Sequence, residues 1–288
     1  MTPAPSGDGH VVTRFAPSPS GYLHLGHAYS ALLNFEQARA AGGRFLLRIE
    51  DIDRTRCRPE FEAAMLEDLA WLGLVWDQPP LRQSDRLPIY ERYLADLEAC
   101  GLVYRCFKTR RDIADAMAAP HGAPVGAFRS APLDPEAEQA ALAAGRPFAW
   151  RLSLTAARAT LGLAFDRLTF VEATATGTIA RPADPARFGD VVLGRKEIGT
   201  SYHLASVVDD ALQGVTHVTR GQDLRDAAGL HVLLSGLLGF APPVYHHHTL
   251  ILGPDGRRLA KRDRAETLRA LRAAGVTPAD ARARLADV

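Results

Sequence analysis

The stretch RFAPSPSGYLHLGH, residues 14–27, breaks the first apolar segment of the chain with two prolines. Residues 11–16 are mostly apolar and predict a short buried strand. Pro17 and Pro19 end this strand, because proline has no N–H group to donate to a sheet. The strand is therefore predicted to lead straight into a loop that contains two glycines and two histidines.

A helix and a second strand are predicted to follow this loop. Apolar residues recur at helical spacing from Ala28 to Ala38, and the pair Gly42-Gly43 supplies a stop. The apolar run RFLLRI, residues 44–49, has the length of a strand. Strand, loop, helix and strand in this order predict a βαβ unit. The predicted fold class is therefore α/β with a Rossmann-like parallel sheet.

The loop has the features of an anion-binding site. A strand that feeds a helix N-terminus through a glycine-containing loop offers free N–H groups and the positive end of the helix dipole. Gly21 and Gly26 would let a nucleotide approach the backbone, and His24 and His27 could both project toward one phosphate. Taken alone, the histidine pair also fits a metal pair, a surface turn or packed side chains.

The remaining sequence suggests four segments. Residues 10–103 are predicted to form the first half of the Rossmann-like domain, with Ser84 as the cap of one helix. Residues 104–188 have weaker patterns and predict an inserted α+β subdomain. Residues 189–250 resume strand and helix signals and predict the second half. Residues 251–288 predict a short helical C-terminal segment.

Composition narrows the cellular context. The formal net charge is +1, but residues 257–284 hold nine basic and three acidic residues. This excess fits either contact with a phosphate backbone or a solvated arginine-rich tail. Cys57, Cys100 and Cys106 suggest no disulfide framework, and neither a signal peptide nor a membrane span is apparent. We therefore expect a cytoplasmic protein, with a monomer as the default.

Four blocks together resemble the glutamyl-tRNA synthetase group of class I aminoacyl-tRNA synthetases. They are RFAPSPSGYLHLGH (14–27), RIEDID (48–53), YHLASVVDDALQGVTHVTRG (202–221) and a weakened lysine loop, RRLAKRD (257–263). The blocks occur in the order of that family. The resemblance implies a ligase that uses ATP. It also implies that the Rossmann-like domain is the catalytic domain and that the inserted subdomain is of the acceptor type.

The short segment after the lysine loop narrows the resemblance further. Only 27 residues follow Lys261, too few for another domain, so we expect no anticodon-binding domain. The chain resembles the shortened paralogue that activates glutamate with ATP without tRNA and places it on the queuosine base of tRNA-Asp. The alternatives are a truncated glutamyl-tRNA synthetase charging tRNA-Glu and a non-catalytic protein that binds glutamate or nucleotide.

The resemblance assigns the glutamate site residue by residue. Arg14 and Arg220 would face the carboxylates, since a guanidinium can bind a carboxylate through two hydrogen bonds. Glu50 would accept the α-ammonium group. Tyr202 and Ser18 would add hydroxyl groups.

The same resemblance assigns ATP binding to the first loop and the lysine loop. His24, His27 and Lys261 would clamp the phosphates as the catalytic groups, with Gly21 and Gly26 beside them. Mg²⁺ would accompany the ATP. Substrate partners would thus be L-glutamate, ATP and queuosine-containing tRNA-Asp.

Zinc is not expected, although relatives hold it in the inserted region. Of the family's ligands only Cys106 remains, because Lys108, Pro124 and Phe128 occupy the other positions. One thiol, even with His121 nearby, cannot build a four-ligand site. The run at 246–248, three adjacent histidines, is also interpreted as structural or nucleotide-adjacent, because adjacent side chains on a strand point apart.

Overall fold

The structure is a computed structural model that describes residues 10–109, 112, 128–195, 198–251 and 266–285. The strands are β1 Val12–Phe15, β2 Arg44–Ile49, β3 Leu81–Arg82, β4 Val103–Cys106, β5 Ala149–Leu152, β6 Thr169–Thr174, β7 Gly177–Pro182, β8 Val192–Arg195, β9 His217–Gly221 and β10 Val244–His248. The helices are α1 Leu25–Ala40, α2 Pro59–Trp71, α3 Leu87–Ala99, α4 Pro135–Ala143, α5 Leu154–Leu161, α6 Leu163–Asp166, α7 Tyr202–Leu212, α8 Ala227–Leu238, α9 Leu268–Ala273 and α10 Pro278–Ala283.

Two groups of parallel strands form the centre of the fold. β1 pairs with β2 and β2 with β3, all parallel, and β9 and β10 form a second parallel pair. The two groups meet where the backbone N–H of Thr216, just before β9, donates to the Val12 carbonyl at 3.0 Å. The predicted α/β Rossmann-like class is therefore confirmed.

Two further strands extend the sheet that contains β9 and β10. β6 pairs in parallel with β10 through Glu172 and Tyr245, and β7 adds an antiparallel edge. Both strands fall within the segment 104–188 that the sequence assigned to an insertion. β4, β5 and β8 form a separate antiparallel sheet. The four-stranded sheet is thus built from strands distant in sequence, and the four segment boundaries stay a prediction.

The sequence prediction at Ser84 is wrong. α3 begins at Leu87 with Arg86 at its N-cap, and Ser84 lies in the preceding 3-10 turn. The backbone N–H and the hydroxyl of Ser84 instead donate to the Asp51 carboxylate, at 2.8 and 2.6 Å. Hydrogen bonds to a charged acceptor are stronger than those to a neutral one, so the Asp51 carboxylate competes effectively with the helix N-terminus for Ser84.

The C-terminal helices pack onto the first half of the sheet. Leu268, Leu271 and Leu285 are buried in the same apolar cluster as Leu69 and Leu72 of the α2 region. Burying each leucine contributes roughly 1.5–3 kcal/mol. This packing ties residues 266–285 to the protein body and brings them to the loop that carries the two histidines.

Arginines of the C-terminal segment bind the body of the protein. Arg272 donates to Asp68 at 2.8 Å, and Arg282 donates to the Leu72 carbonyl at 2.8 Å. Arg269 donates to the Tyr22 hydroxyl at 3.0 Å. Within the described residues, this part of the basic segment is therefore engaged in intramolecular contacts, whereas residues 257–264 lie outside the description. Among the described helices, none is long and apolar enough to cross a membrane.

Candidate functional site

A cavity of about 500 Å³ opens where β1, β2, β9 and β10 end. The carboxyl edge of a parallel sheet is the usual ligand site of such folds. The cavity brings together residues that the sequence assigned to glutamate and to ATP: Arg14, Ser18, His24, Gly26, His27, Glu50, Tyr202 and Arg220. Gly21 is described but lies outside this lining. Lys261 lies outside the described residues, so its role stays a prediction.

Arg14 is fixed by a buried carboxylate. Its Nε donates to Asp210 Oδ1 at 3.0 Å, and Arg48 donates to the same oxygen at 2.6 Å. Arg48 also donates to Glu50 Oε1 at 3.3 Å, as does the hydroxyl of Ser206. Asp210 and Arg48 therefore orient one cation and one anion of the cavity.

Burial and charge set the protonation of this cluster. Burial opposes ionisation of Asp210, but Arg14 and Arg48 outweigh it and hold the pKa of that carboxyl below its usual range. Burial raises the pKa of Glu50, although Arg48 and Arg14 favour its ionised form. Asp210 is thus a permanent anion, whereas Glu50 can bind an ammonium group once it is deprotonated.

Arg220 is held without an acid. Its side chain is buried, its Nη2 has no hydrogen-bond partner, and among the described residues it forms no ion pair. Its Nε points to His247 Nε2 at 3.4 Å and its Nη1 to His231 Nδ1 at 3.5 Å, above the Tyr245 ring. A buried charge of this kind is costly unless a ligand pairs with it.

The two predicted histidines cap α1 together. His24 Nδ1 accepts from the N–H of Gly26 at 3.1 Å, and His27 Nδ1 accepts from the N–H of His24 at 3.2 Å. Since each Nδ1 accepts, the neutral rings carry their protons at Nε2 and can donate there. A β-carbon at Gly26 would lie 3.0 Å from the His24 ring and would crowd this cap.

Tyr202 enters the cavity from the start of α7. Ser201 caps this helix, since its hydroxyl accepts from the N–H of Leu204. Burial raises the pKa of the Tyr202 hydroxyl, with Glu50 adding to the effect. Tyr202 is therefore a protonated donor at neutral pH. A second cavity of about 380 Å³ shares Ser18, Glu50 and Tyr202 with the first.

Sequence reasoning missed the roles of Asp210, Arg48 and Glu172, and it gave His247 only a general structural or nucleotide-adjacent role. Asp210 and Arg48 stand inside the quoted motifs, but no spacing rule shows that they meet. Glu172 and His247 come from β6 and β10, whose pairing the sequence did not predict. A signal existed in one case, because an acidic residue in an apolar strand such as β6 suggests a buried partner.

Acid is expected to weaken the fold through the buried histidines. Burial lowers the pKa of His203 to about 4, so the unfolded chain binds this proton between about pH 6.5 and 4 while the folded chain does not. The free energy of unfolding should therefore fall by roughly 1–3 kcal/mol as the pH drops through that window. Urea unfolding at a series of pH values measures the slope. His203→Gln should flatten it, and an unchanged slope in that variant would contradict the assignment.

The model of the family described as tRNA synthetases class I (E and Q), catalytic domain, matches residues 10–283. The chain belongs to this family. It is a ligase of the aminoacyl-tRNA synthetase type, and this class I synthetase uses ATP.

The synthetase is similar to proteins with two different names. It is 52% identical to the glutamyl-Q tRNA(Asp) synthetase of Rhodobacter capsulatus, over 94% of this chain and 98% of that protein. It is 40% identical to glutamate–tRNA ligase 2 of Dinoroseobacter shibae, over 93% of this chain but 59% of that protein.

A solved structure with the same fold is a glutamate tRNA ligase from Elizabethkingia meningosepticum in complex with its amino acid. Its TM-score is 0.73 at 32% identity, and the match covers 88% of this chain. The synthetase spans about half of that ligase, 52% of its length.

The residues at the expected zinc positions do not fit zinc. Cys106 is buried, but Lys108 and Phe128 offer no ligand, and the Lys108 ammonium lies 5.6 Å from the Phe128 ring. Arg151 stacks on the same ring at 4.6 Å. Pro124 and His121 lie outside the described residues. Zinc therefore has no part in the proposed reaction, and its absence stays a prediction.

Proposed function

We propose that this synthetase activates glutamate with ATP in the absence of tRNA and transfers it to the queuosine base in the anticodon of tRNA-Asp. The observation that carries the proposal is the buried Arg220. This arginine lines the same cavity as Arg14, and its charge has no acidic partner among the described residues. Two guanidiniums beside a carboxylate suit an amino acid with two carboxylates. The name of the Rhodobacter relative, glutamyl-Q tRNA(Asp) synthetase, supports tRNA-Asp as the acceptor.

Glutamate would bind between these groups. Arg14 and Arg220 pair with its carboxylates, and the ionised Glu50 accepts from its ammonium group. Tyr202 and Ser18 donate hydroxyl hydrogen bonds. Arg14, Glu50 and Arg220 are already held by protein contacts, so amino-acid binding needs no tRNA to assemble the site.

Activation would form one bond and break another. An oxygen of the glutamate α-carboxylate attacks the α-phosphorus of ATP, and the bond to the bridging oxygen of the β-phosphate breaks. Pyrophosphate leaves with that electron pair, and no proton is transferred to the protein. His24 and His27 donate from Nε2 beside the N-terminus of α1, where developing phosphate charge is stabilised. Lys261 and Mg²⁺ would complete the charge neutralisation.

The second cavity offers a route for the acceptor. It meets the first at Ser18, Glu50 and Tyr202, which are the residues assigned to the amino acid. A base that entered from there would reach the activated carbonyl without displacing the nucleotide from the α1 side. A hydroxyl of the acceptor then attacks this carbonyl to form an ester, the bond from the carbonyl carbon to the phosphate oxygen breaks, and AMP leaves with the hydroxyl proton.

The alternative is a shortened glutamyl-tRNA synthetase that charges tRNA-Glu. The similarity to the Dinoroseobacter ligase favours it. Glutamate-dependent pyrophosphate exchange without tRNA separates an enzyme from a non-catalytic binding protein.

Transfer assays are expected to separate the two acceptors. We expect labelled glutamate to be transferred to tRNA-Asp that contains queuosine and not to tRNA-Asp that lacks it. Purified tRNA-Glu serves as the second substrate in the same assay. Transfer to tRNA-Glu alone would refute the proposal and support the alternative.

A further inference from the structure

Arg220 has an unusual set of neighbours. Its Nε and Nη1 meet the ring nitrogens of His247 and His231, and its guanidinium lies 5.1 Å from the centre of the Tyr245 ring. Arg14, in contrast, is bound by the carboxylate of Asp210 at 3.0 Å. The two cations that line the cavity are therefore held in chemically different ways.

Glu172 fixes the hydrogen position on His247. The distance from His247 Nδ1 to Glu172 Oε1 is 2.8 Å, and both side chains are almost fully buried. An ionised carboxylate can only accept, so Nδ1 carries the proton. The lone pair of Nε2 then faces Arg220, as an acceptor should.

The protonation states agree with this geometry. Burial lowers the pKa of His247 to about 4, although Glu172 opposes the shift. Burial opposes ionisation of Glu172, but His247, Arg225 and Arg181 together lower its pKa to about 2. Burial also places the pKa of His231 well below its usual value. At neutral pH, Arg220 is therefore flanked by two neutral rings.

We propose that Glu172 and His247 form a positioning pair that aims Arg220 through a neutral acceptor and so leaves its charge to a substrate carboxylate. This inference rests on the proposed amino-acid site and adds residues to it. A carboxylate in direct contact with Arg220 would satisfy that charge before the substrate arrives. Glu172 lies instead behind the imidazole of His247, so it orients the Arg220 guanidinium without pairing with it.

Two variants of His247 that differ only in charge test the proposal. Glutamine and glutamate have the same shape, but His247→Glu places a carboxylate beside Arg220. We expect the KM for the amino acid to be at least tenfold higher in His247→Glu than in His247→Gln, with equal KM values for ATP. A purely structural role predicts equal KM values for the amino acid, and that result would overturn the proposal.

His246→Glu is the matched control. It introduces the same charge on the same strand, one residue away and on the opposite face. Its KM for the amino acid should stay within about twofold of that of His246→Gln, since no contact joins His246 to Arg220. A tenfold rise in this control would show that the effect comes from charge at a distance, which would also overturn the proposal.

A measurement without substrate separates this inference from the proposed function. The ¹⁵N spectrum of the histidine rings should show His247, assigned by its loss in His247→Gln, as the neutral form protonated at Nδ1 at pH 7. Protonation at Nε2, or a charged ring, would overturn the positioning pair whatever the substrate. If the wild-type enzyme activates another amino acid, the proposed function fails, and the KM comparison is made with that amino acid.

Discussion

Replacing Arg220 by methionine is expected to raise the KM for glutamate at least 30-fold in pyrophosphate exchange. Removing one partner of a buried, hydrogen-bonded charge pair costs about 2–5 kcal/mol, and each 1.4 kcal/mol is a factor of ten. The KM for ATP should change little, because the phosphates are assigned to the N-terminus of α1. Steady-state exchange at varied glutamate and at varied ATP measures both values.

The stability of Arg220→Met distinguishes a binding role from a structural one. In the free protein this guanidinium is buried without an ion pair among the described residues, so a methionine of similar length should leave the urea midpoint unchanged or raise it. Arg187→Met, which removes a half-exposed arginine, serves as the control for kinetics. A normal glutamate KM in Arg220→Met would remove this residue from the substrate site.

Asp210→Asn is expected to lower the free energy of unfolding by about 3–5 kcal/mol. Asp210 is the anion between two buried cations, Arg14 at 3.0 Å and Arg48 at 2.6 Å. Removing one member of a buried ion pair leaves uncompensated charge, which is the source of the cost. Because Arg14 loses its anchor in the same step, glutamate binding should weaken as well. Urea unfolding at neutral pH measures the stability.

The matched control for Asp210→Asn is Asp166→Asn. Arg158 and Asp166 form an exposed ion pair, with about half of each side chain accessible to solvent. Such pairs contribute about 0–1 kcal/mol. If the two variants lost equal stability, the buried cluster would not be the structural anchor that its geometry indicates.

Local patterns predicted the first half of the catalytic sheet well. The strand before Pro17, the helix from the histidine loop and the strand at 44–49 all lie where spacing placed them, because each depends on residues close in sequence. Ser84 was misassigned because its acceptor, Asp51, is 33 residues away. The addition of β6 and β7 to the sheet likewise depends on a long-range pairing that no local pattern shows.

The residues of the candidate site show the same difference between local and long-range information. Eight of the residues that line the cavity were predicted from motifs, since a resemblance carries positions one by one. Residues that act behind them, such as Asp210 and Glu172, were not, because their roles arise from burial and from contacts across 196 and 75 positions of sequence. Local sequence motifs therefore indicate which residues face the ligand. How those residues are oriented depends on contacts that exist only in the folded chain.

The docking of the C-terminal helices also bears on the lysine loop. Ile251 lines the cavity, Thr267 forms a β-bridge with His24, and the N–H of Leu268 donates to the Leu23 carbonyl at 2.8 Å. The described residues on both sides of the stretch that carries Lys261 therefore lie beside the cavity. A packing defect at Leu268 is therefore expected to loosen one end of this stretch. We expect the turnover of such a variant to be slower.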